Sequence, residues 1–114
     1  MSVCLFCKII EKTVPAKFVS EDKFSLAIED VSPQAPVHVL VVPKVHVETV
    51  MDLKVDHDEV WWAMLEMAQK VAQTKNIIQP GFRLVLNCNP GAGQSVYHVH
   101  MHVLGGRPFA WPPG

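Results

Sequence analysis

Residues 93–106 read GQSVYHVHMHVLGG. Apolar and polar positions alternate through this stretch with the period of two that marks a β-strand, and we expect a strand from Val96 to Leu104. On such a strand His98, His100 and His102 share one face, while Val99, Met101 and Val103 turn to the core. Three imidazoles in a row add nothing to packing. The chain holds only 6 histidines, so this clustering is not a chance of composition.

The flanking segments supply the rest of the fold. The loop Gly91-Ala92-Gly93-Gln94-Ser95 enters the strand, and its glycines let backbone amides approach an anion closely. Pro80-Gly81 turns the chain into an expected strand, Phe82 to Asn87. Before it lies an expected helix from about Asp56 to Thr74, opened by a capping box of Asp56 with Glu59. Val60, Trp61, Met64, Leu65, Ala68, Val71 and Ala72 fall on one side of it at spacings of three and four. Trp61 and Trp62 are expected at core and interface. Val37 to Val42 is a β-branched run closed by Pro43 and reads as a well-buried strand. Two shorter strands, Ala16 to Ser20 and Phe24 to Ile28, flank the turn Glu21-Asp22-Lys23, and Leu5 to Glu11 forms a short helix. Strands and helices mix without a βαβ rhythm. The expected class is α+β with a mostly antiparallel sheet, residues 1–114 forming one domain.

Composition narrows the function. The chain has 114 residues, 49% hydrophobic and 18% charged, with a formal net charge of -1. That balance argues against a broad nucleic-acid or membrane surface, so phosphate binding must come from a local site. No stretch reaches the ~18 apolar residues of a membrane span. The start, MSVCLFCKII, has no charged leader ahead of an apolar run. The 3 cysteines are an odd count, with Cys4 and Cys7 in a C-x-x-C. A disulfide scaffold is therefore not expected, and the cytoplasm is the expected location.

Two chemistries suit the histidine row. Aligned imidazoles are ligands for zinc or copper. Alternatively one imidazole attacks while its neighbours bind charge and position it. The bland reading is a solvated polar face. The small-residue loop before the strand favours phosphoryl transfer beside an attacking imidazole. Other candidates have plain readings of their own. Asp30 can shape the turn before Ser32-Pro33, Asn87 and Asn89 can shape a loop, and Phe6, Ile9 and His38 can simply be core.

These motifs together resemble the histidine triad (HIT) family, in its Hint-type purine nucleoside phosphoramidase branch. The resemblance rests on GQSVYHVHMHVLGG, on CLFCKII (4–10), VPAK (14–17) and EDVSPQAPVHVLVVPKVH (29–46), and on the ending WPPG (111–114). It implies a five-stranded antiparallel sheet with one long and one short helix, two subunits joining into a continuous sheet. It also implies hydrolysis of the P–N bond of purine nucleoside 5′-phosphoramidates, acyl-adenylates included, through a nucleotidyl-histidine intermediate. By that resemblance His100 is the nucleophile. His102 and His38 sit beside the phosphate, His98 supports the row, and Ser95 serves the leaving-group side. Asp30 accepts the ribose hydroxyls, and Asn87, Gln94 and Gly93 lie near the phosphate. Leu5, Phe6, Ile9 and Val31 sandwich the base, and Trp111 reaches the neighbouring subunit's site. The reaction needs no cofactor. Cys4, Cys7, His46 and His98 match positions that hold a structural zinc in some members. A dinucleoside polyphosphate hydrolase and a non-catalytic nucleotide-binding or scaffold protein are the alternatives. The sequence departs from the branch at Ile28-Glu29 and at Asn87-Cys88-Asn89-Pro90.

Overall fold

A computed structural model describes residues 3–114; Met1 and Ser2, the head of the segment read for a leader, lie outside the described residues. The elements are α1 (Leu5–Ile10), β1 (Phe18–Glu21), β2 (Ser25–Glu29), β3 (Val37–Pro43), α2 (Asp58–Thr74), β4 (Phe82–Val85) and β5 (Met101–Gly105). The strands form one sheet in the order β1-β2-β3-β5-β4, and every neighbouring pair is antiparallel.

The β-branched run makes β3 the middle strand, and the period of two sorts its side chains. Val39 and Val41 face one way with Ala27 and Val103, against Met64, Met67, Ala68, Val71 and Ala72 of α2. Leu40 and Val42 face the other way with Leu26 and Ile28, against Phe6 and Ile9 of α1. Each face of the sheet thus carries its own helix. The short α1 covers only part of its face, which leaves His38 and His102 at the border of an uncovered area.

Three expectations shift. The last strand is shorter than its alternation indicates, because only residues from Met101 on pair with β3 and β4. His98 and His100 lie on the approach to β5, which bends at residues 96–98 and is tied to the fold by the Val99 N–H donating to the Val47 carbonyl at 2.6 Å. The alternation still holds in space, since Val99, Met101 and Val103 all join the α2 core. The capping box expected at Asp56–Glu59 does not form on α2, and one forms seven residues earlier on a separate 3-10 turn, Val50–Asp52. There the Thr49 hydroxyl accepts from the Met51 N–H, and the Thr49 N–H donates to the Asp52 carboxylate. A 3-10 turn, Val55–His57, then leads into α2, and its His57 cap uses no side chain. Finally, Trp61 and Trp62 are not core. They stand 36% and 65% exposed on this chain, because the helix buries the stripe that starts at Met64.

Candidate active site

Backbone partners fix the hydrogen on each key imidazole. His100 Nδ1 lies 2.8 Å from the His98 carbonyl oxygen. A carbonyl only accepts, so Nδ1 carries the hydrogen and Nε2 keeps its lone pair. The Gln34 N–H donates to His38 Nδ1 at 3.0 Å, so neutral His38 carries its hydrogen on Nε2. That Nε2 is 2.8 Å from His102 Nδ1 and 3.4 Å from an Asp30 carboxylate oxygen. His102 accepts on Nδ1 and therefore presents an Nε2–H. One row of imidazoles offers a bare nitrogen at His100 and a donor at His102.

Burial keeps His98, His100 and His102 neutral. His100 is 8% exposed, and desolvation pushes its pKa below the ordinary value of 6.5 against the opposing pull of the His98 carbonyl and Asp30. His102 is pushed down to about 4 by burial and then by its neighbours His100 and His38. His98 shifts down as well, mainly by burial. The consequence for stability has a definite sign. The unfolded chain binds these protons near pH 6.5, whereas folded His102 does not until about 4. Stability is therefore full above about pH 6.5 and falls as pH drops toward 4. For His102 alone, partly open to water, the loss between pH 7 and pH 5 is about 1–2 kcal/mol. Urea unfolding at the two pH values measures it, and equal stabilities would contradict the buried neutral row.

A cleft of about 620 Å³ runs from α1 to this row, and Leu5, Phe6, Ile9, Asp30, Val31, Gly93, Ser95, His100 and His102 all line it. Nine residues picked from the sequence thus meet in one place. Phe6 and Ile9 are core and cleft wall at once. Gly93 adopts φ 92 at the end of a 3-10 turn, Pro90–Ala92, a left-handed backbone that glycine tolerates best. His38 and Asn87 border a second hollow of about 350 Å³ that shares His102 with the first.

Other picks sit elsewhere. Gln94 is buried, and its amide is used up inside the loop. Its oxygen accepts from the Asn89 N–H, and its nitrogen donates to the Glu48 and Val96 carbonyls. It fixes the loop's path, and its side chain lines neither hollow. Trp111 is 82% exposed and borders neither hollow. Asp30 shapes the turn, one carboxylate oxygen accepting from the Ser32 N–H at 2.7 Å, while the other lies 3.4 Å from His38 Nε2. Ile28, Leu40 and Val96 also line the cleft and were not singled out. The period of two on β3 could have found Leu40, which shares a face with His38. Nothing in the sequence pointed to the Gln34 N–H that sets the His38 tautomer.

His98 belongs to a different group. Cys4, Cys7, His46 and His98 bring one ligand atom each to within 4.8 Å of one another. His98 Nδ1 lies 3.4 and 3.5 Å from the Cys4 and Cys7 sulfurs and 3.1 Å from His46 Nδ1, and Cys7 Sγ is 3.3 Å from His46 Nδ1. Tetrahedral zinc with usual bond lengths needs about 3.3 Å between two nitrogens and about 3.6 Å between nitrogen and sulfur. The set fits. His98 also donates from Nε2 to the Pro43 carbonyl at 2.8 Å, the outer partner that aims a metal-binding imidazole.

Comparison with known proteins agrees with this geometry. The family described as "HIT domain" matches residues 11–109. A purine nucleoside phosphoramidase of Escherichia coli K12 is 42% identical over 105 residues, 92% of this chain and 88% of that protein. The crystal structure of a HIT family hydrolase from Legionella pneumophila is 50% identical and superposes with a TM-score of 0.95, covering 97% of this chain and 99% of that one. A HIT family hydrolase from Clostridium thermocellum is 39% identical at a TM-score of 0.93, covering 96% of both chains. With its imidazole row, its cleft and these likenesses in hand, the chain belongs to the HIT family.

Proposed function

We propose that the protein hydrolyses the P–N bond of purine nucleoside 5′-phosphoramidates, with His100 as covalent nucleophile. The observation that carries this reading is the His100 imidazole, which is kept neutral by burial and held through Nδ1–H on the His98 carbonyl. Its free Nε2 is the only ring atom left to attack. The phosphoramidase activity named for the Escherichia coli relative supports the substrate class.

In this reading the base lies against Leu5, Phe6 and Ile9 under the rim residue Val31, and Asp30 accepts from the ribose hydroxyls. His100 Nε2 bonds to phosphorus as the P–N bond breaks. The amine leaves with the electron pair and takes up a proton. Water then cleaves the nucleotidyl-imidazole to free His100 and the nucleoside monophosphate. His102, through its Nε2–H, and the Ser95 hydroxyl are the side-chain donors beside the phosphate. Gly93 lets the loop come close, and Asn87 borders the far side. Acyl-adenylates carry the same phosphorus centre and fit the same path. Turnover of an adenosine 5′-phosphoramidate and of a diadenosine polyphosphate, measured side by side, tests the reading. Faster turnover of the phosphoramidate is expected. The reverse order would assign a dinucleoside polyphosphate hydrolase, and AMP binding without either turnover a binding protein.

The reading includes a homodimer. β4 is an open edge of the sheet, with Phe82 and Leu84 about a third exposed and Trp62 65% exposed on α2. An apolar open edge is what a second copy would cover. The tail ends with Trp111 exposed, so it supports a role for Trp111 in the neighbouring subunit's site. Deleting residues 110–114 should change kcat/KM several-fold and alter leaving-group preference while the dimer persists. Unchanged kinetics would refute the shared site, and a monomer by light scattering would refute the dimer.

Zinc at Cys4, Cys7, His46 and His98 is part of the same reading. What zinc supplies in such a site is a cross-link between α1 and the approach to β5. Stoichiometric zinc is expected in protein purified without a His tag, and Cys4→Ser with Cys7→Ser should abolish it. No zinc, or zinc unaffected by the double substitution, would contradict the site.

A further inference from the structure

The four metal-type ligands touch both walls of the nucleotide cleft. Cys4 is the N-cap of α1, its sulfur accepting from the Cys7 N–H. That helix has only 6 residues, well below the roughly 12–15 at which an isolated helix is even marginal. Its position must come from tertiary ties. It carries Leu5, Phe6 and Ile9, one wall of the cleft. On the other side, His98 joins the set through Nδ1, while its own carbonyl holds the His100 ring. Phe6 packs edge-on against both rings, 5.9 Å from His98 and 5.0 Å from His100. His46 adds the segment after β3, next to Val47, whose carbonyl anchors Val99.

We propose that the Cys4/Cys7/His46/His98 set is a metal-dependent clasp, with His98 the positioning residue that couples metal occupancy to nucleotide affinity and to attack by His100. The proposal rests on the zinc reading for the ligand and on the hydrolase reading only for the effect on rate. The path is short. The metal fixes the His98 ring, the ring and its Pro43 bond fix the His98 backbone, and that carbonyl aims the nucleophile. The same metal seats α1 against the base. The coupling is reciprocal, so nucleotide must tighten metal binding by the factor by which metal tightens nucleotide binding.

The test uses untagged protein as purified, stripped with a chelator, and reloaded with Zn²⁺. His46→Ala serves as a second probe, because His46 is exposed and borders neither hollow. AMP affinity is read by calorimetry, backbone protection at residues 4–11 and 96–100 by hydrogen exchange, and the first turnover by rapid mixing. Stripping should weaken AMP binding about five- to tenfold, in the ordinary range of coupling between sites. It should also slow the first turnover and raise exchange in both segments. Zn²⁺ should restore the wild type but not His46→Ala, and AMP should raise zinc affinity by the same five- to tenfold. AMP affinity unchanged within about twofold between stripped and loaded protein, or zinc affinity indifferent to AMP, would overturn the clasp. If no form turns over a phosphoramidate, the hydrolase reading falls while the AMP–zinc reciprocity still decides the coupling. If no zinc binds, the clasp falls and the hydrolase reading stands.

Discussion

His100→Ala should lower turnover of an adenosine 5′-phosphoramidate by at least about a thousandfold, the scale on which an enzyme loses rate with its nucleophile. No neighbour can take over. His102 accepts on Nδ1 from His38 and presents Nε2 as a donor, and His98 turns Nε2 to Pro43 and Nδ1 to the cysteine set. Ser95 is exposed on the rim of the cleft, and an unactivated hydroxyl is a weak nucleophile. AMP binding should survive, because Asp30, the α1 wall and the Gly93 loop all remain. Calorimetry with AMP then separates a lost nucleophile from a collapsed site. A variant that kept a tenth of wild-type turnover would contradict covalent attack by His100.

Replacing Asp30 should act on binding instead. Hydrogen bonds to a charged group contribute about 1.5–3 kcal/mol each, so Asp30→Ala, which removes the acceptor for two ribose hydroxyls, should weaken AMP binding by at least about a hundredfold. The alanine also removes the bond from the Ser32 N–H at 2.7 Å and could loosen the turn. Asp30→Asn separates the two roles. It keeps an oxygen for Ser32 but loses the charge that favours hydroxyl donors. Its loss should be about tenfold for AMP and near zero for the 2′,3′-dideoxy nucleotide. Equal losses for both nucleotides would make Asp30 a turn residue only.

What the sequence disclosed about this protein depended on the kind of signal. A β-branched run closed by proline revealed β3, and period-two alternation revealed the facing of Val99, Met101 and Val103, because burial on a sheet selects for it directly. The alternation overran the start of β5, since Val99 joins the same core as Met101 and Val103 although the chain bends at 96–98 and pairs with β3 only from Met101. The start of α2 was misplaced because Asp56 and Glu59 have the right spacing, but the chain spends that turn in a 3-10 helix after Leu53. The box that does form, Thr49 with Asp52, has the same spacing of three, so spacing alone does not choose between the two. Trp61 fits the helical period and Trp62 adjoins it, yet both stand exposed, 36% and 65%, beside the stripe that α2 buries. Within the cleft, residues with distinctive chemistry were legible, whereas Leu40, Ile28 and Val96 look like any core residue. The sharing of labour among the histidines was the least legible feature. The row suggests three equivalent rings. Their separate roles come from carbonyls and amides at Pro43, His98 and Gln34, and backbone partners leave no mark in a sequence.

The covalent intermediate is the central claim, and it can be caught. Wild-type protein mixed with excess adenosine 5′-phosphoramidate and quenched in alkaline denaturant within one turnover should gain the mass of one adenylyl group. Peptide mapping should place that group on His100, with a matching burst of released amine. An adduct on another residue, or steady amine release with no adduct and no burst, would contradict the account.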